Sequence, residues 1–416
     1  MSTTPSAMEP LLPRPTAVLR DLSVEVFKAS SRLAARVHPV TGKVLARALR
    51  NVNSYYSNLI EGHHTSLLDI ERALADDYAR DQATRDLQTL HRLHVQAQAE
   101  VDALLDARPD LPVWETDFVI GLHRRFFTDA PAHFLMQSSR NGTRFATDRP
   151  GELRTDNVRI GCHVPPDAQA VPRFMERLAE AYCADRLHGD DRLLAVAASH
   201  HRLLWVHPFL EGNGRVARLF THAFLRRIGL DGYGLWCISR GLARREQAYK
   251  QALALADGPR QGDLDGRGAL SDKALGEFCR FFLETALDQI SYMDGLLTLD
   301  QVAANIHNFC ARSAPRTPGA SNDRPALPTE AATILTTVFQ HGELPKSAVP
   351  ALINASERKA RDVVKTLLTE GLLHTAHHKA PLTIALPGRA ITEYFPKLIF
   401  PGQTAMTTSA PGASEY

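Results

Sequence analysis

A proline and two glycines fall within seven residues, Pro208 to Gly214, between two apolar stretches, and they dictate a sharp bend in the middle of this 416-residue chain. The bend reads HPFLEGNGRVAR, His207 to Arg218. Upstream, Leu193 to Val206 (LLAVAASHHRLLWV) is apolar enough for a buried helix, and Pro208 disfavours helical geometry at His207 and ends it. Downstream, Val216, Leu219, Phe220, Ala223 and Phe224 recur at i, i+3, i+4, i+7 and i+8. That spacing predicts a helix with one buried face, closed by Gly229.

The residues in the bend form a set suited to phosphate. Unpaired N–H groups and the positive end of the helix dipole make the first turn an anion cradle, and Gly212 and Gly214 let a phosphate approach the main chain. Arg215 and Arg218, three apart, share a face and can hold two successive phosphates by forked hydrogen bonds. Glu211 is placed to hold a Mg²⁺ that bridges phosphate oxygens, and His207 has the intrinsic pKa of a general base near neutral pH. Taken singly, each has a plainer reading: a helix–helix turn, a structural histidine at a helix end, solvated arginines. No Walker-type GxxxxGK[ST] motif and no GxGxxG after a strand occurs elsewhere in the chain.

His207, Phe209, Glu211, Gly212, Asn213, Gly214, Arg215 and Arg218 together resemble the Fic-domain signature HxFx[DE]GNGRxxR, without a departure. The resemblance implies a mainly α fold, a Fic helical bundle with a small β-hairpin flap. It also implies transfer of AMP from ATP to a Ser, Thr or Tyr hydroxyl of a target protein. His207 would be the base, Glu211 the Mg²⁺ ligand, Gly212, Asn213 and Gly214 the anion hole for the α-phosphate, and Arg215 and Arg218 the grip on the outer phosphates. Relatives that use another nucleotide, run a phosphotransfer or remove AMP leave those activities open. A DNA-binding regulator that senses nucleotide is a further alternative.

Upstream of the signature, Ser57, Asn58, Leu59, Ile60, Glu61 and Gly62 resemble the inhibitory motif [ST]xxxE[GN] of part of that family. By resemblance Glu61 pairs with Arg218 and takes the place of the ATP γ-phosphate, since carboxylate and phosphate compete for one guanidinium. The alternation of Val158, Ile160, Cys162 and Val164 with Arg159, Gly161 and His163 predicts a short β-hairpin. It looks like the Fic flap, with Ile160, Gly161 and Cys162 docking the target segment by main-chain pairing. Tyr249, on a helix predicted over Ile238 to Ala256, is either an adenine wall or a core tyrosine.

Composition bounds the rest. With 44% hydrophobic and 23% charged residues the chain is long enough for two or three cores, and a formal charge of +2 selects no partner class. Five scattered cysteines without a CxxC pair indicate neither a disulfide framework nor a zinc site, which fits a cytoplasmic protein. No continuous apolar run suggests a membrane partner.

The predicted organisation is an N-terminal helical region over 1–110, a catalytic core over 111–300, a linker over 301–327, a winged helix-turn-helix-like domain over 328–400 and a disordered tail over 401–416. Residues up to about Thr16 read as an ordered arm or a loose tail. The C-terminal unit shows helix, helix, helix and a hairpin, in the order of a winged module, with Arg358, Lys359, Arg361 and Lys365 on its third helix. DNA, a second copy of the chain or the target protein are the partners such a module would take.

Overall fold

The computed structural model describes residues 2–138, 144–146, 149–313 and 327–398. It is mainly helical. The N-terminal part contains α1 (Ala17–Ala34), α2 (Pro39–Ile60), α3 (Leu67–Leu74), α4 (Gln82–Ala107) and α5 (Thr116–Phe127). Local chemistry sets these starts: the side chains of Thr16, Ser66 and Asp81 accept the N–H groups of Leu19, Asp69 and Thr84. Pro39 opens α2 at a position where its missing N–H costs nothing. The interruption predicted at Pro39 is therefore a helix start, and Ser57 lies on the last turn of that same uninterrupted α2, with Glu61 as its C-cap.

After β1 (Met136–Ser138) and β2 (Arg144–Ala146), which pair antiparallel, come α6 (Val171–Ala181), α7 (Asp191–Val206) and α8 (Asn213–Arg227). Thirteen of the sixteen residues of α7 are buried, as a helix that is apolar all round requires. It forms the axis of the molecule, packed on α8 and on α11 (Asp272–Leu296). The single helix predicted over Ile238 to Ala256 is instead α9 (Ile238–Arg244) and α10 (Glu246–Ala256), broken at Arg245, whose φ of −115° leaves the helical region. The break re-aims α10 so that Tyr249 and Leu253, with Asp257 at its C-cap, line one cleft.

The hairpin predicted at Val158 to Val164 is reduced to its tightest turn, in which Ile160 and His163 exchange both main-chain hydrogen bonds at 3.0 and 2.8 Å. The segment has one isolated bridge, Ile160 to His163, around Gly161 at φ +55°. The alternation that suggested strands has another cause: His163 is held by the Trp205 carbonyl at 2.8 Å, and Val158 is buried. The antiparallel pair of this region lies earlier, in β1 and β2.

The N-terminal arm is ordered because its backbone is tied down. The Leu11 carbonyl accepts from Tyr182 at 2.7 Å and the Pro10 carbonyl from the buried Arg202 at 2.9 and 3.1 Å, while Met8 is fully buried.

The stretch predicted as linker begins as α12 (Leu299–Arg312), which buries Val302, Ile306, Phe309 and Cys310. Residues 314–326 of that stretch and the predicted tail lie outside the described residues. Beyond them come α13 (Ala331–His341), β3 (Glu343–Leu344), α14 (Val349–Leu352), α15 (Glu357–Thr369), β4 (Leu373–His374), β5 (Leu382–Ile384) and α16 (Gly388–Tyr394). The strands form an antiparallel sheet in the order β3-β5-β4. Arg358, Lys359, Arg361 and Lys365 are exposed on α15, but Lys359 pairs with Glu330 at 3.4 Å and Arg361 with Glu357 at 4.0 Å.

This C-terminal unit packs on the N-terminal half of α2. The buried Thr41 hydroxyl donates to the Phe339 carbonyl at 2.8 Å, and Gly342, at φ +78°, sits so close to His38 that a Cβ there would lie 1.9 Å from the ring. No helix among the described residues is long and apolar enough to cross a membrane.

Candidate functional site

Where α7 stops, His207 takes a left-handed backbone, φ 49° and ψ 63°, its N–H still bonded to the Leu203 carbonyl at 3.0 Å. The chain then turns through Pro208 to Gly212 and enters α8. Asn213 builds that turn: its side chain accepts from the Phe209 N–H at 3.0 Å and donates to the Phe209 carbonyl at 2.8 Å. These two bonds use the Asn213 amide oxygen and one of its two N–H donors to brace the turn. What the turn offers an anion is main-chain N–H groups, because the first helical donor of α8 is Val216, bonded to the Gly212 carbonyl.

Both glycines are required by close packing. Gly212 has φ +81°, and a Cβ on it would lie 2.2 Å from the Phe127 ring. A Cβ on Gly214 would lie 2.3 Å from a Glu61 carboxylate oxygen and 3.1 Å from the Arg218 guanidinium.

Arg215 and Arg218, both buried on the first two turns of α8, differ in what they touch. The Arg218 guanidinium donates to the Ser57 hydroxyl at 2.8 Å, to the Ser57 carbonyl at 2.8 Å and to Glu61 Oε1 at 2.6 Å. Burial opposes ionisation of Glu61, but Arg218 and Arg215 outweigh it and hold the carboxyl below its ordinary range. The structure thus brings Ser57, Glu61 and Arg218 together across 157 and 161 residues of sequence separation. Arg215 stacks over Phe126 and Phe127, 5.4 and 5.0 Å from the ring centres. Its Nε and Nη1 are buried and have no hydrogen-bond partner among the described residues. A buried guanidinium left incompletely paired is a costly arrangement that an added anion relieves.

His207 lines the cleft between these arginines and α10. Burial, reinforced by Arg154 and His163, pushes its imidazole down to about 3. It is therefore unprotonated at neutral pH, the form that accepts a proton.

Glu211 follows in the bend, and its carbonyl accepts from His123 Nε2 at 3.1 Å. The other ring nitrogen of His123 accepts the Gly151 N–H at 2.8 Å, and the ring stacks on Phe209 at 4.1 Å. Burial lowers the His123 pKa to about 4, so it serves as a neutral strut for the bend. No group of three or more metal-ligating side chains occurs among the described residues. A single carboxylate beside a phosphate cradle fits Mg²⁺, which takes one or two carboxylates and completes its shell from phosphate and water.

The cleft is narrow, with a cavity volume of about 50 Å³. Arg218, Glu61 and Gly214 line it together with His207, and Tyr249, Leu253 and Asp257 line it from α10. Since 249 and 257 are eight residues apart, that wall runs for roughly 12 Å, close to the span of a nucleoside monophosphate. The Tyr249 hydroxyl is held at 2.7 Å by His200 Nε2, whose other nitrogen meets the Thr221 hydroxyl at 2.7 Å. Tyr249 is thus a buried tyrosine with a polar partner and a cleft-lining one at once.

Of the three flap residues, Ile160 lines the cleft, Gly161 forms the turn and Cys162 is exposed. Sequence reasoning missed Arg154, His123 and Phe127. Each acts on backbone or packing in the bend, from positions that no spacing links to it.

Residues 113–225, a span that includes the whole bend, match the model of the Fic/DOC family. Among curated proteins, the protein adenylyltransferase Fic of Nematostella vectensis is 30% identical over 180 residues, 42% of this chain and 37% of that protein. The protein of the same name from Drosophila grimshawi is 33% identical over 79 residues, 19% of this chain and 16% of its own. The chain thus spans well under half the length of these relatives. Among solved structures, a Fic family protein from Desulfovibrio desulfuricans G20 aligns with a TM-score of 0.52 at 16% identity, over 90% of this chain and 98% of that one. Fic-1 of C. elegans aligns with a TM-score of 0.50 at 18% identity, over 67% and 72%. Residues 113–225 form a Fic domain, and the fold around them is the Fic fold.

Proposed function

We propose that this chain is a protein adenylyltransferase that moves AMP from ATP to a hydroxyl side chain of a target protein, and that Glu61 holds it in an inhibited state. The observation that carries the reading is the pair of buried arginines on the first two turns of α8. One has no partner among the described residues for two of its nitrogens, and the other is occupied by a carboxylate from α2. Both sit beside a glycine-lined turn and a neutral histidine, which is the equipment for placing a triphosphate against a base.

In this reading Arg215 and Arg218 bind the outer phosphates, and the main-chain N–H groups at Asn213 and Gly214 hold the innermost one. The target hydroxyl oxygen forms a bond to the α-phosphorus as the bond to pyrophosphate breaks, and His207 takes the hydroxyl proton. Tyr249 walls the nucleoside. Glu211 would hold a Mg²⁺, which when bound would supply charge neutralisation at the leaving pyrophosphate. Gly161 and the exposed Cys162, at the tip of the Ile160 turn, present main chain to the target segment. Glu61 opposes all of this by occupying Arg218, so an ATP that enters meets a carboxylate where a phosphate belongs.

The test is mass spectrometry of the purified protein and its Glu61→Gly variant after incubation with ATP and Mg²⁺. The expected result is an added AMP, more abundant in the variant. Absence of adduct on the chain and on every protein of a cell lysate, in both forms, would end the proposal. A parallel incubation with UTP and CTP decides the nucleotide.

A further inference from the structure

We propose that Arg154 is a positioning residue for His207, fixing the bend that carries the base and tying it to the segment that faces the target. The inference rests on the adenylyltransferase reading, in which His207 is the base.

Arg154 contacts three consecutive carbonyls of the bend. Its Nη2 donates to Val206 at 3.4 Å, its Nε to His207 at 2.8 Å and its main-chain N–H to Pro208 at 2.9 Å. Its remaining bonds go to both ends of the segment around the Ile160 turn: Nη1 to the Asp156 carbonyl at 3.0 Å and Nη2 to the Pro166 carbonyl at 2.7 Å. One side chain therefore sets the register between the catalytic bend and the turn that lines the other edge of the cleft.

Two observations make this more than packing. A histidine at φ 49° occupies a backbone region that persists only where the surroundings over-determine it. The carbonyls on both sides of that strained residue, Val206 and His207, are the ones Arg154 holds. Moreover, Arg154 is 3% exposed, and every hydrogen bond of its guanidinium among the described residues goes to a backbone carbonyl, with no carboxylate among them. An apolar side chain of similar volume would leave these carbonyls without their donors, so the guanidinium satisfies them and at the same time fixes their relative positions. What the guanidinium adds is a planar fork whose donors diverge at fixed angles, which lysine cannot reproduce.

The experiment compares Arg154→Lys with its parent in the full-length Glu61→Gly background, measuring kcat and KM for AMP transfer, the Kd for ATP, and melting temperature. The expected result is a kcat lower by about 10- to 100-fold, the effect of misplacing a reacting group by an ångström. KM and Kd should stay within about twofold. A kcat equal to the parent's, or a loss confined to KM and Kd, overturns the proposal. A second readout does not depend on transfer: in ¹⁵N-labelled protein the ring nitrogens of His207 should show altered, exchange-broadened signals in the lysine variant, and unchanged signals overturn the proposal. If Arg154→Lys does not fold, Arg154→Gln, which keeps an N–H donor group, repeats both measurements. Failure of both to fold makes Arg154 purely structural and overturns the proposal as well. If Glu61→Gly transfers no AMP while the ring signals do change, it is the adenylyltransferase reading that fails.

Discussion

At the scale of single residues, the proposed chemistry turns on His207 and the glycines after it. With its imidazole pushed down to about 3, His207 binds a proton only well below the usual histidine range of about 6.5. Its proton-accepting form is therefore fully present from pH 8 down to 5. Single-turnover transfer by the Glu61→Gly variant should show no acid limb near pH 6.5; a half-maximal rate there would mean an ordinary, solvated imidazole. Replacing His207 by Ala should lower transfer by about 10²- to 10⁴-fold, the usual contribution of a general base. Calorimetry should find ATP affinity within a few-fold of the parent's. Gly212→Ala meets both a backbone at φ +81° and the Phe127 ring, so it should cost about 2 kcal/mol or more in denaturant unfolding. The glycines, the arginines and the histidine were legible in the sequence because they are consecutive. Arg154 and His123 were not, because their partners are main-chain carbonyls and an N–H group, and a carbonyl has no letter in a sequence.

At the scale of elements, what keeps Glu61 against Arg218 is the packing of α2 on α4 and α8. The link among the three is Asp102 of α4, which accepts from His222 of α8 at 2.7 Å and from Arg50 of α2 at 2.8 Å. Burial opposes ionisation of Asp102, yet His222, Arg50 and Arg226 hold its carboxyl down to about 2. A carboxyl depressed in the folded state contributes stability above its unfolded pKa, about 4, and loses it as pH falls through the folded value. Asp102→Asn should therefore reduce stability by about 2–3 kcal/mol at pH 7. The gap between variant and parent should narrow below pH 4, which urea titrations at pH 7, 5 and 3.5 will read. The helices themselves were legible from their apolar spacing and caps, since 3.6-residue periodicity is local information. The break at Arg245 and the shortening of the hairpin near Ile160 to a single bridge were not, because contacts with other elements decide both.

At the scale of the whole molecule, the C-terminal unit and the Fic domain share one helix. Phe339 and Gly342 meet α2 near Thr41 and His38, while the other end of α2 delivers Ser57 and Glu61 to Arg218. Gly342→Ala forces a Cβ against His38 at φ +78°. It should loosen this seam, seen as faster hydrogen exchange at the start of α2. The seam was invisible in the sequence because it joins residues nearly 300 positions apart through a hydroxyl and a carbonyl. Its consequence is that of a lever. A rod of 22 residues is roughly 33 Å long, so rocking it by about 5° about its far bearing swings the tip by roughly 3 Å. A displacement of that size would part a contact 2.6 Å long, so how far the packing on α4 lets the rod rock decides whether a disturbance at the Phe339 end is felt at Glu61.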